Sequence, residues 1–359
     1  MSTRDVAIVG FAQRQMKEFA GSPTCVELLV PIFQELFETT GWTKDDIGFW
    51  CSGSSDYLAG RSFSFVQAVD AIGALPPVME SHVEMDAAWA LYEAWVKIQT
   101  GEVDSAVAYG FGKSSAGTLR RIMSLQLDPY TATPLWPDAV SLAGIQARAG
   151  IDAGRWSEQA MAEVVARSMT DAADNEYAIR KGTTTADEVL DQPLYADPLR
   201  RWDCSPVSDG AAGLVIAAAD APGFDRLKTT PVWITGFSHR IEPISLNARD
   251  LTVSASTRAA AEGLDTASVD VAELHAPFSH QELILREALD LGDGVRINPS
   301  GGALTANPMF TGGLNRIGEA ARRVQSGEAG RALAHATSGP ALQQNLVLTM
   351  CSERGEARS

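Results

Sequence analysis

A chain of 359 residues with 45% hydrophobic content can bury a large core, and its length points to two or three domains. A formal net charge of -16, with no Lys/Arg cluster, excludes a nucleic-acid face built on phosphate contacts. No apolar run reaches the ~18 residues of a membrane helix, and the start MSTRDVAIVGFAQ carries no basic region followed by an apolar block, so a cytoplasmic protein is expected.

Residues 5–10 (DVAIVG) read as a buried strand, and 26–39 (VELLVPIFQELFET) as an amphipathic helix. IGFWCSG follows as a second strand, and this β-α-β start indicates an α/β fold. In residues 81–110 a helix is expected after Asp86, stopped by Gly101, before the strand SAVAYG. Glu84 and Asp86 stand before that helix, where free N–H groups favour carboxylates for stability and can also hold an anion or a nucleophile.

Periodicity is lost over 111–144, where Pro129, Pro134 and Pro137 stand among aromatics, the pattern of a pocket wall or subunit contact. Residues 156–180 are expected to be mostly helical and 193–203 extended. DCSPVSDGAAGLVIAAAD then turns into an apolar strand, closing a first domain at 1–222 with an inserted loop region at about 111–200. A second domain, 223–359, repeats the strand, glycine, helix order: VWITGFSH, SASTRAAAEGL, then the strand VDVAEL and the helix SHQELILREALDLG.

His275 falls where that strand ends and the helix is about to begin, the place at which α/β sheets bind ligands, although a capping or core histidine would read the same way. The segment INPSGGALTANPMFTGG after it, with two Gly-Gly pairs, brings backbone close to something narrow. The helix LNRIGEAARRVQSG and two strands around Gly339 and Pro340 complete the chain. Cys25, Cys51, Cys204 and Cys351 have no CxxC or Cys/His metal spacing and read as reduced thiols, so no metal site is expected. On an acidic surface an anionic ester would need local cations, and the adjacent Arg pairs are Arg120 with Arg121, Arg200 with Arg201, and Arg322 with Arg323.

IVG, IQTGEVDSAVAYG, SDGAAGLVI, HAPFSHQE, NPSGGAL and ATSGPALQQN, in this order along the whole chain, resemble the thiolase superfamily, and within it the sterol-carrier-protein-X-type branch. The resemblance implies a thiolase fold, two similar α/β halves in a layered αβαβα arrangement, dimeric as a homodimer or thiolase-like heterodimer, acting on acyl-CoA. Coenzyme A would enter as part of the substrate, with no tightly bound cofactor.

The chain departs from the family at its chemistry. Laying VEMDAAWALYEA on the family's Val-Glu-Asn-Ala-Cys run puts Ala87 at the nucleophile, and a methyl group cannot form a thioester. His275 matches a His-Asp-x-Phe loop, but Ala276 replaces its aspartate, while Phe278 and Glu282 fit. The Gly-His-Pro loop has become Ala306-Asn307-Pro308, and the late Cys-x-Gly region reads from His335 to Gly339.

Loss of the nucleophile disfavours thiolysis, and the chain is most similar to the aldol-lyases that shorten branched steroid side chains. Retro-aldol cleavage of a β-hydroxyacyl-CoA needs a base for the hydroxyl proton and donors for the thioester oxygen. The resemblance implies His275 as base, Asn307 and N–H groups near Ser338 and Gly339 as enolate donors, and Glu84 or Asp86 to orient the imidazole. Phe278, Gly301, Gly302, Arg120 and Arg121 would contact substrate. It further implies a separate OB-fold zinc-ribbon partner and an adjoining hydratase. The alternatives are a noncatalytic thiolase-like scaffold or lipid-binding subunit, and a thiolase recruiting another cysteine, Cys204 above all or Cys351.

Overall fold

The computed structural model describes residues 4–16, 23–59 and 62–355. The first half supplies strands β1 (Val6–Met16), β2 (Phe49–Gly53), β3 (Glu80–Val83), β4 (Ser105–Lys113) and β5 (Val207–Ala218). The second supplies β6 (Val232–Ile241), β7 (Val271–Leu274), β8 (Arg296–Ile297), β9 (Arg331–Ser338) and β10 (Gln344–Cys351).

The order β1-β5-β4-β2-β3 in one half is matched by β6-β10-β9-β7-β8 in the other. The pairing senses repeat as well: two antiparallel pairs followed by two parallel ones in each half. The halves meet where Ala7 and Ile8 pair with Trp233 and Val232. The duplication that no sequence repeat betrays is therefore explicit in the topology.

Helices fix the layers. α1 (Cys25–Thr40) starts at a Thr24–Glu27 capping box and stops at Gly41, whose φ of 75° suits a residue without Cβ. With α2 (Ser64–Ile72) it covers Ala7, Val9, Trp50, Val107 and Tyr109, while the alternate residues Val6, Ile8, Phe49, Ala106 and Ala108 face inward. That inner face packs on α3 (Ala87–Gln99), as does the last helix from the other half, residues 312–325.

Further helices are α4 (Ala139–Asp152), α5 (Glu158–Asp171), α6 (Ala255–Ala261), α7 (Ser279–Ala288) and α8 (Gly312–Gln325). Val271, Ala332, Ala334, Leu346 and Leu348 meet α3 and α8, and their neighbours Ala272, Leu274, Leu333 and Val347 meet α6 and α7. Five layers result, helix, sheet, helix, sheet, helix, as expected. Strands covered on both faces read as continuous apolar runs, which is why they were legible.

Two expectations need correction. Helix α5 ends at Asp171 and not at 180, because the residues after it turn to let the Ile179 and Arg180 N–H groups bond Thr305 O at 3.0 Å. The aperiodic stretch 111–144 holds a short helix, Leu119–Leu125, and the start of α4, capped by Asp138. Among the described residues no helix is long and apolar enough to cross a membrane.

Candidate functional site

His275 follows the last residue of β7, and its N–H donates to His335 O at 3.2 Å, carrying the parallel ladder one step beyond the strand. The side chain is held at both nitrogens. The Thr337 N–H donates to Nδ1 at 3.3 Å, and Nε2 lies 2.8 Å from Asn307 Oδ1. A backbone N–H can only donate, so Nδ1 is the acceptor, the neutral ring carries its proton on Nε2, and that proton is given to Asn307. Burial holds the imidazole below the ordinary histidine range, against the pull of the Asp86 charge.

Asn307 reaches this position because residues 307–308 pair in parallel with Val207 and Ser208 of β5. Its N–H donates to Ser208 Oγ at 3.1 Å, and its amide Nδ2 donates to Ser205 Oγ at 3.4 Å. Gly312, at the start of α8, closes the group: a Cβ there would lie 2.4 Å from Asn307 Oδ1 and 2.7 Å from His275 Nε2. Only glycine fits that approach. The second Gly-Gly pair of the sequence thus serves the site directly, whereas Thr337, which sets the tautomer through its backbone, left no signal in the sequence.

Asp86 caps α3 through Ala88 N–H at 2.9 Å, and also accepts from Gly313 N–H at 2.9 Å and Leu314 N–H at 3.1 Å. Ala87, in place of the expected nucleophile, is fully buried, and its N–H donates to Phe310 O at 2.9 Å. The loop around Met309 and Phe310 lies flat on β4 because Gly110 and Gly112 leave room: Cβ atoms there would come within 2.7 Å of Phe310 O and 2.2 Å of Met309 O. His275 and Asn307 keep 6% and 8% of their surface exposed, so the pair is nearly closed over.

The other expected site residues make contacts away from the His275–Asn307 pair. Glu84 does not approach His275; its side chain is 55% exposed and sits 3.4 Å from His82 Nε2. Gly301 and Gly302 build the support under the site, where added Cβ atoms would meet Ala172, Thr305 and Asn298. In that support Asn298 accepts from Leu274 N–H at 2.6 Å and donates to Glu282 at 2.8 Å, and Arg167 holds Glu282 through both carboxylate oxygens. A buried Arg316–Glu273 pair at 2.8 Å, shared with Ser300, lies beneath.

Phe278 is half-buried and packs beside Cys204. Ser338 is half-buried and pairs with Gln344, while Gly339 is exposed in the turn after it; the contact from this region comes from Thr337 instead. Arg120 and Arg121 are exposed on the insertion, Arg120 against Asp138 and the Tyr195 ring. Arg200 turns inward to Glu158 and Leu190 O.

The environments of Cys204, Cys51 and Cys351 all disfavour the thiolate that a replacement nucleophile would need. Burial pushes the Cys204 thiol up to about 12, and the Cys51 thiol likewise. Half-buried Cys351 is also raised and donates to Glu353 O. A cavity of about 430 Å3, lined by Arg155, Trp156, Leu283, Arg286 and Asp290, opens beside the later turns of α7 and away from His275.

The chain matches no family model. It is 26% identical over 351 residues to the acetyl-CoA acetyltransferase of Methanocaldococcus jannaschii, covering 88% of both chains. It is also 26% identical over 294 residues to sterol carrier protein 2 of Gallus gallus, covering 68% of this chain and 53% of that protein. Among solved structures it is similar to the Ltp2-ChsH2(DUF35) aldolase, with TM-score 0.79 and 17% identity over 97% of this chain and 98% of that one. It is likewise similar to human mitochondrial 3-ketoacyl-CoA thiolase, with TM-score 0.75 and 15% identity over 98% and 99%. Two matched halves, five layers and these likenesses together show that the chain has the thiolase fold and is similar in sequence to thiolase-superfamily proteins.

Proposed function

We propose that the chain is a carbon-carbon lyase that cleaves a β-hydroxyacyl-CoA by a retro-aldol step, with a branched steroid side-chain ester as its substrate class. The observation that carries this is the His275 Nε2–H presented to Asn307 Oδ1, beside a helix start whose nucleophile position is an alanine. Retro-aldol cleavage needs its thioester oxygen polarised as the enolate forms, and it needs no covalent enzyme intermediate.

The tautomer changes the role assigned to His275. Its proton stands on Nε2 and Nδ1 accepts from Thr337, so the ring serves as a donor to the thioester oxygen. The β-hydroxyl gives its proton to water as the carbon-carbon bond breaks, and the enolate carbon takes one back, so the step releases no net proton. In this reading the substrate oxygen displaces Asn307 Oδ1, and the freed amide of Asn307 turns its NH2 toward the same oxygen. The resemblance to an aldolase whose name includes a DUF35 component supports a heteromeric partner of the OB-fold type for this chain. A hydratase would supply the β-hydroxy thioester.

The test is incubation with a panel of β-hydroxyacyl-CoA esters, with and without an OB-fold partner, and mass spectrometry for the shortened acyl-CoA. Near-complete burial of His275 and Asn307 favours a second reading, a noncatalytic thiolase-like subunit that scaffolds a complex. That reading expects acyl-CoA to be returned intact with every partner.

A further inference from the structure

The two central helices are equivalent members of the two halves, and their N-termini converge on one side chain. Asp86 Oδ1 accepts from Ala88 of α3 and Leu314 of α8, and Oδ2 accepts from Gly313 of α8. Each helix end carries roughly half a positive charge on N–H groups with no partner inside the helix. One carboxylate of the first half therefore serves two helix ends, and it is 4% exposed.

Close packing ties this carboxylate to the candidate site. A Cβ on Gly313 would come within 2.7 Å of Asp86 Oδ1 and 2.6 Å of Ala336 Cβ, so the α8 backbone is drawn as close to the carboxylate as glycine allows. The adjacent Gly312 is the residue that touches His275 Nε2 and Asn307 Oδ1. A shift of the first turn of α8 would thus be felt at the donor pair.

We propose that Asp86 is a positioning residue: an internal carboxylate that stands where an anion would bind between two helix N-termini, and so sets Gly312 against His275 and Asn307. The Ala88, Gly313 and Leu314 N–H groups are then not available to a substrate oxyanion. This positioning role is independent of the reaction the site runs, so its readouts can fail without touching the cleavage assay, and the reverse.

The test removes the carboxylate and returns an anion. Asp86→Ala is expected to melt about 3–8 °C below the parent, since two helix caps are lost at once. Formate at tens of millimolar should raise the melting temperature of this variant more than that of the parent, while formamide, the neutral shape mimic, should not. In 15N-histidine-labelled protein the His275 Nε2–H resonance should shift in the variant and move back with formate, a recovery that lost packing alone would not give.

Asp86→Asn keeps an oxygen for Ala88 but turns an NH2 toward Gly313, so hydrogen exchange at Gly313 should quicken while Ala88 stays protected. This variant decides the matter if Asp86→Ala does not fold. The proposal is overturned if Asp86→Ala melts with the parent, if formate and formamide act alike, or if Gly313 remains protected in Asp86→Asn.

Discussion

His275 gives its Nε2 proton to Asn307 Oδ1 across 2.8 Å, because the Thr337 N–H already occupies the other ring nitrogen. This makes the imidazole a hydrogen-bond donor in the resting protein. His275→Gln, which can place an N–H near the same point, is expected to lose about tenfold in cleavage rate, and His275→Ala about 10²- to 10³-fold. Equal losses in both variants, together with disappearance of the ascending limb of the pH–rate profile, would return the ring to the role of base.

Gly312 offers a way to disturb the pair without removing either member. Gly312→Ala places a methyl 2.4 Å from Asn307 Oδ1, so one partner must move. Misplacement on this scale costs about 10²-fold in turnover, and crowding a buried site lowers stability by about 1–3 kcal/mol, so the melting temperature should fall by a few degrees while the variant still folds. Unchanged cleavage kinetics in a folded variant would show that the donor pair does not contact substrate.

Restoring sulfur should not restore a thiolase. Ala87 is sealed beneath Phe310, and its N–H is already bonded to Phe310 O. Ala87→Cys is expected to show no thiolysis of a 3-ketoacyl-CoA. Iodoacetamide should leave the parent active, because burial raises the thiols of Cys51 and Cys204 to about 12. Acetyl-CoA release by the variant, or inactivation of the parent that acyl-CoA prevents, would contradict this.

Acid should unfold the chain through its buried histidines. Burial lowers His280 and His335 from 6.5 to about 3, so the unfolded chain takes up these protons first. Their contribution is full above pH 6.5 and declines as pH falls toward 3, at roughly 1.4 kcal/mol per pH unit for each ring. His280→Gln should flatten the decline of denaturant stability between pH 6 and about 4. Parallel stability curves for the parent and the variant would show that the ring is protonated in the fold.

Much of the architecture was legible because strands covered on both faces are mostly apolar, as over residues 106–109 of β4 and 211–218 of β5, whereas β7 interrupts its run with Glu273, which is paired with Arg316. The position of His275 at a strand end was legible for the same reason. Its protonation was not, since the Thr337 contact comes from a backbone group that any residue supplies. Glu84 and Asp86 illustrate the limit of spacing: two residues apart at a strand end, one faces solvent beside His82 and the other joins two helices. In the NPSGG segment, Asn298 braces Leu274 and Ser300 bonds Glu273. Glycine doublets report close approach, but not of what.

The most direct test of the proposed lyase chemistry is the β-hydroxyacyl-CoA panel read by mass spectrometry, with an OB-fold partner present and His275→Ala run alongside. A shortened acyl-CoA and a matching aldehyde or ketone are expected from the parent chain, with the His275→Ala yield lower by about 10²- to 10³-fold. Every ester returned intact by a folded parent chain that binds acyl-CoA would contradict it.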